Sequence, residues 1–191
     1  MISLKKSRKM KKFLIVTGIG FLILMGVLAY IRFYYTKTFS PEATVEYNQN
    51  GTQLSVAYNR PYKKGRVIFG ELVPYDVVWR TGANEATVFG TNKNLIIKGQ
   101  SLKAGKYSLW TVPGEQSWKV IFNTESGQWG VDFNGSANRD PKNDVLTVEV
   151  PALTHDKEFE QFTISIEQVG EDFELILMWD KTVVVVPISL A

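Results

Sequence analysis

Hydrophobic and polar positions along the chain follow two different periods that meet near residue 40. From Phe13 to Ile31 the residues carry no charge, are rich in Leu, Ile, Val and Phe, and are interrupted only by Thr17 and Tyr30. As a helix rising about 1.5 Å per residue, this run is about as long as a bilayer's hydrocarbon core is thick. A core helix of a soluble domain would show a polar face, and this run shows none. It is therefore expected to cross a membrane, with Tyr30 where an interfacial aromatic belongs.

Past Ala43 the pattern changes to alternation. Thr44-Val45-Glu46-Tyr47 and Gln53 to Tyr58 alternate on either side of Asn50-Gly51, a hairpin-turn dipeptide. Further strands are expected at 66–69, 86–89, 94–98, 106–112, 118–123, 145–150, 159–169, 173–179 and 182–188. Gly99-Gln100, Ala104-Gly105, Pro113-Gly114, Ser126-Gly127, Gly170-Glu171-Asp172 and Asp180-Lys181 supply the turns between them. Many short strands at near-regular spacing predict an all-β fold, an antiparallel β-sandwich of jelly-roll-like or Ig-like type ahead of a barrel. The expected organisation is a basic tail over 1–12, a single transmembrane helix over 13–31, a juxtamembrane linker over 32–42 and the sandwich over 43–191. Val183 to Val186 is apolar on both faces, which calls for cover on both, and Pro187 places the strand's end at an edge or bulge.

Charge sharpens the topology. Of the 22 basic residues, Lys5, Lys6, Arg8, Lys9, Lys11 and Lys12 precede the apolar run, and no acid occurs before Glu42. The positive-inside rule then keeps the N-terminus in the cytoplasm and sends the domain to the far side of the inner membrane, toward the periplasm or exterior. Val27-Leu28-Ala29 resembles a cleavage site, but the run exceeds the roughly 7 to 15 residues of a cleaved signal, which favours a retained anchor. From Arg32 onward the balance is 22 − 6 = 16 basic against 19 acidic residues, so the folded part is mildly acidic. That argues against nucleic acid as a partner. The chain has no cysteine, which excludes disulfides, thiolate metal sites and cysteine nucleophiles.

Candidate chemistry is sparse. His155 is the one histidine, and Leu153 to Lys157 reads as a polar surface loop, so neither a His-based zinc site nor a triad is expected. Asp132 to Asp140 has oxygen side chains at alternate positions, yet Ala137 and Asn143 stand where a calcium loop needs glycine and a bidentate glutamate. A solvated turn is the better reading, and no cofactor or metal is called for. Asn50-Gly51-Thr52 and Asn134-Gly135-Ser136 match glycosylation acceptors and equally explain turns. Of the five tryptophans, Trp110, Trp118 and Trp179 fall in strands as core or rim residues, whereas Trp79 and Trp129 lie in irregular segments and are open to either use.

The informative stretch runs from Asn59 to Phe89. Arg60, Arg66, Arg80, Asn84 and Glu85 stand there among aromatic, glycine and proline residues, in an order that neither a strand nor a helix requires. A guanidinium presents a planar fork of donors suited to carboxylate or phosphate. With Gly82 free to turn, Asn84 and Glu85 are expected to converge on Arg80, with Trp79 and Trp129 flanking. The competing expectation is internal: Arg80 pairs with Glu85 or Asp76 and pins the segment to the sandwich.

The run from Arg60 to Thr87, with Val78-Trp79-Arg80-Thr81-Gly82-Ala83-Asn84-Glu85-Ala86 at its heart, resembles a bacterial family catalogued as domain of unknown function 2911. The resemblance continues through Lys103 to Leu109, Pro113-Gly114-Glu115, Trp118 to Asn123, Gly127-Gln128-Trp129-Gly130 and Val183 to Pro187, and covers Thr44 to Ile188. It implies an exported or envelope protein, commonly with a signal sequence, and carries no activity. The chain departs from it at Asp76, where a glycine turn is expected. Three functions follow as expectations. The first is a membrane-anchored module binding a saccharide or peptide carboxylate through Arg60, Arg66, Arg80, Asn84 and Glu85. The second is an envelope carbohydrate hydrolase or isomerase using Glu85 or Asp76. The third is an envelope assembly protein, which an exposed apolar patch on Val183 to Ile188 would favour.

Overall fold

The computed structural model describes residues 2–191, with side chains from Lys9 onward; Lys5, Lys6 and Arg8 of the basic cluster lie outside the described side chains. Two compact units divide at Phe39 and Ser40. The first is helical: α1 (Ile2–Tyr30), a π-helical segment (Ile31–Tyr35) and α2 (Thr36–Phe39). Its Lys9–Phe39 stretch is long and apolar enough to cross a membrane, and its most apolar window is unburied. A retained anchor and a signal sequence both meet that description. Tyr30 stacks on Tyr34, and Tyr35 meets Phe39 edge-on.

The second unit is a nine-stranded antiparallel sheet in the order β1-β2-β3-β6-β7-β8-β9-β4-β5, folded into a sandwich-like all-β domain. The strands are β1 (Glu42–Gln49), β2 (Thr52–Asn59), β3 (Thr87–Thr91), β4 (Leu95–Ile97), β5 (Gln100–Leu102), β6 (Gly105–Pro113), β7 (Ser117–Asn123), β8 (Asp144–Val169) and β9 (Asp172–Leu190). The Asn50-Gly51 turn closes the first hairpin with both residues at positive φ, and Gln49 faces Thr52 across it. That backbone twist suits a two-residue hairpin.

Two long strands fold the sheet over on itself. β8 pairs with β7 through Asp144–Pro151 and with β9 from Ala152 to Val169, while β9 moves from β8 to β4 near Ile188. The faces so opposed bury one core. Leu54, Val56, Phe89, Leu109, Val120 and Phe122 come from one layer, and Phe162, Ile164, Leu175, Leu177, Val184 and Val186 from the other. The alternation at Leu54, Val56 and Tyr58 buries all three, as expected from the sequence. Trp110, Trp118 and Trp179 are likewise almost wholly buried.

Several expected boundaries differ. The segments 145–150 and 159–169 belong to one strand, as do 173–179 and 182–188. The polar residues between them mark bulges, not turns: register slips occur between Thr154 and Phe159 and between Phe159 and Thr163, opposite Asp180 at φ 54°. The extra residues on β8 there bend and twist the strand, which is how a sheet turns a corner. His155 therefore sits on β8 rather than in a loop, exposed, its Nδ1 accepting the Lys157 N–H at 2.9 Å. The expected strand over 66–69 is a compact loop in which Phe69 pairs only with Val73 while Ile68 is wholly buried. β5, too short for periodicity to register, was not expected. On β9, Val184, Val186 and Ile188 are buried and Val183 and Val185 half-buried, so that strand carries no broad exposed apolar patch.

Candidate functional site

The irregular segments before β3 and after β7 build a layer of their own. Trp110, Ile121 and Ala86 form a second small core, against which Val78, Val112 and Ala137 pack. Trp79 and Thr111 exchange backbone hydrogen bonds of 2.7 and 3.0 Å, aligning residues 76–79 along β6. A few residues on, Ala86 N–H reaches Gln128 O at 3.1 Å and Gly130 N–H reaches Asn84 O at 2.9 Å, with Glu85 paired to Trp129 between them. The Arg80 loop and the Trp129 loop are thereby joined in a short ladder.

The backbone of this loop is costly. Thr81 at φ 56° and Asn84 at φ 57° flank Gly82 at 147°, and a positive φ is a genuine outlier for a β-branched residue. Hydroxyls hold it: Thr81 Oγ1 and Thr111 Oγ1 lie 3.1 Å apart, and Thr87 donates to Thr81 O at 2.6 Å. Gly82 is required twice over, by its φ and because a Cβ would stand 2.8 Å from the Asn59 carbonyl oxygen. Asp76, where a glycine turn was expected, also has positive φ, 60°. Aspartate enters that region more readily than most residues, so the turn persists with a carboxylate in place of a glycine.

The site residues divide sharply. Arg60 is bound to β8, donating from Nε to Phe162 O at 3.1 Å and from Nη2 to Thr163 Oγ1 at 2.8 Å. Arg66 closes its own turn, donating to the carbonyls of Lys63 at 2.9 Å and Tyr62 at 2.5 Å. Trp79 donates from Nε1 to Gly82 O at 3.1 Å, and its ring packs among Phe69, Trp118, Phe162 and Trp179. It is part of the aromatic core. Asn84 and Glu85 do come together, but through a residue absent from the expected set. Asn59, almost wholly buried, accepts from Asn84 Nδ2 at 3.3 Å and donates to Glu85 Oε2 at 3.2 Å. The only sequence signal for Asn59 is its place at the head of the same stretch.

Arg80 stands apart. Its stem lies across Gly130, where a Cβ would come within 2.1 Å of Arg80 Cδ. Nε is sealed from solvent without a hydrogen-bond partner. Neither the Glu85 nor the Asp76 pairing forms, since no acid contributes at Arg80; the residue is half-buried, and Nε is the atom left without a partner among the described residues. Burial lowers its pKa below the ordinary arginine value, with no neighbouring charge contributing. In the adjoining loop, Arg139 is paired with Asp144, and Gln128 Oε1 is a second sealed, unpartnered atom.

Asp76 belongs to different surroundings. It lines an open groove of about 630 Å³ with Tyr75, Gly114, Ser117, Lys119 and Glu149. Asp132 Oδ1 accepts the N–H groups of Asn134 and Ser136, as a turn-closing aspartate does. Among the described residues, no group of acidic and histidine side chains is arranged to hold a metal ion.

A sandwich-like all-β domain bearing an irregular layer built on a Trp-Arg-Thr-Gly-Ala-Asn-Glu run defines the class. The family described as "Protein of unknown function (DUF2911)" matches residues 40–188, and the chain belongs to it. No curated protein and no solved structure matches the chain.

Proposed function

We propose that this is a membrane-anchored, exported binding protein whose sandwich holds a polar or anionic ligand at the Arg80 loop. The single observation that carries the reading is the half-buried Arg80, whose sealed Nε has no partner among the described residues. Removing a charge from water costs several kcal/mol even after relaxation, and proteins offset that with a counter-charge and hydrogen bonds. Arg60 has hydrogen-bond partners and Arg139 has an acid, whereas Arg80 has neither. A residue that served only to pin the loop would be expected to carry a partner. The strained loop supports the same reading, because strain of this kind persists where geometry is used. Trp79 leaves the ligand set for the aromatic core, Arg60 and Arg66 become supports, and Asn59, Asn84 and Glu85 form a bonded polar cluster in the same loop layer.

In this reading the apolar helix is retained as an anchor in the inner membrane, with the basic N-terminus in the cytoplasm and the domain toward the periplasm or exterior. The full chain in detergent micelles is screened by thermal shift against sugars, sugar acids and short peptides, beside Arg80→Met. A stabilising ligand that loses its effect in the variant supports the site; no shift in the wild type with unfolding of the variant assigns Arg80 to structure. N-terminal sequencing of membrane-fraction protein tests the anchor, and a start at Tyr30 overturns it.

A further inference from the structure

Resting on the binding role just proposed for Arg80, the loop layer's charge and shape narrow the ligand further. Three neighbouring cations have their partners already: Arg60 on Phe162 O and Thr163, Arg66 on two backbone carbonyls, Arg139 on Asp144. Of these four arginines, Arg80 is the one with neither an acid nor a hydrogen-bond acceptor among the described residues. A phosphate near its dianionic form would bring more negative charge than this one cation offsets. A neutral sugar would leave the guanidinium as it is. A single carboxylate matches it in charge and, through two parallel N–H···O bonds, in shape.

Gly130 supplies the second half of the argument. No positive φ requires a glycine there. What requires it is space, since a Cβ would lie 2.1, 2.7 and 2.9 Å from the Cδ, Cβ and Cγ of Arg80. The bare backbone is the bed on which the arginine stem lies. We propose that the Arg80 site takes one carboxylate group, from a sugar acid or from a peptide C-terminus, and that Gly130 is the positioning residue that orients the guanidinium to receive it.

The test is calorimetric titration of the full chain in micelles with five probes: glucuronate, glucose, acetyl-Ala-Ala as the free acid, its carboxamide, and methyl phosphate. Binding of one or both acids is expected, and which acid binds identifies the source. Glucose and the carboxamide should give no heat, with methyl phosphate at least about tenfold weaker than the better acid. Arg80→Met should abolish acid binding, Arg80→Lys should weaken it by about tenfold or more because the charge remains without the fork, and Gly130→Ala should weaken it similarly. Methyl phosphate binding as tightly as the acids, or the carboxamide binding as tightly as its acid, overturns the carboxylate assignment and leaves a polar site standing. Absence of binding by all five probes overturns the assignment, and whether the broader reading also falls is then decided by the wider thermal-shift screen. Should Gly130→Ala fail to fold, Arg80→Lys decides the role of the fork and the wild-type titrations decide the ligand class.

Discussion

Two loops of the same stretch, 60–66 and 79–87, each present arginine, and they treat it in opposite ways. In the first, everything is engaged: Arg60 ties to β8, Gln161 Nε2 donates back to Arg60 O at 3.1 Å, and Lys63 pairs with Asp180 at 2.7 Å and Glu158 at 2.9 Å. In the second, the backbone is strained, Asn59, Asn84 and Glu85 are bonded to one another, and the sealed Nε of Arg80 has no partner among the described residues. A partnered arginine is a rivet between segments. A half-buried arginine with a sealed, unpartnered Nε makes sense if the offsetting group arrives from outside.

That contrast can be broken by substitution, beginning with the largest expected effect. Gly82→Ala attacks the geometry that holds the second loop against Asn59. With its φ and the close carbonyl, it should cost about 2–4 kcal/mol in urea denaturation, and a loss below about 0.5 kcal/mol would mean the loop is free to rearrange. Arg60→Ala removes two hydrogen bonds to a charged donor and should cost about 2 kcal/mol.

Next comes alkaline stability, which reads the neighbourhood of the first loop. Tyr58 has its pKa raised mainly by burial, against smaller lowering contributions from the Ile164 backbone and Arg60. Its unfolded value is about 10. The native state therefore keeps the proton longer, so this contribution is fully present below about pH 10 and is lost as pH rises through the folded value. Tyr107, raised by burial, and Lys63, raised chiefly by its hydrogen bond to Asp180, act with the same sign. Unfolding free energy measured from about pH 8 to about pH 11 should fall, and less steeply in Tyr58→Phe; equal slopes would remove Tyr58 from the account. Arg66→Ala, an exposed loop closure, should cost no more than about 1 kcal/mol.

The smallest effect is the most telling. Arg80→Met keeps the stem on Gly130 and removes the half-buried, unpartnered charge, so stability without ligand should change by less than about 0.5 kcal/mol or rise. A loss as large as that of Arg60→Ala would erase the distinction between the loops.

How much of this was legible follows from the range of the forces. The hairpin at Asn50-Gly51 and the alternation of Leu54, Val56 and Tyr58 were readable because turn chemistry and strand period are local. So was the burial of Trp110, Trp118 and Trp179. The joining of 145–150 to 159–169 was not, because Thr154 to Glu158 are polar whether they form a loop or an exposed bulge; the partner strand makes the difference. The Asn59–Phe89 stretch was recognisable as unusual, yet three arginines look alike in a string of residues. Only their partners separate them, and Phe162, Thr163 and Gly130 lie far along the chain.

The sequence by itself determined the apolar N-terminal helix, the all-β domain and the family to which residues 40–188 belong, since each rests on patterns a few residues long or on one motif read in order. Tertiary structure decided that Trp79 packs inward, that Asn59 joins Asn84 to Glu85, and that Arg80 is left without a partner. Those are facts of long-range packing and desolvation, which depend on which distant segments arrive beside a side chain.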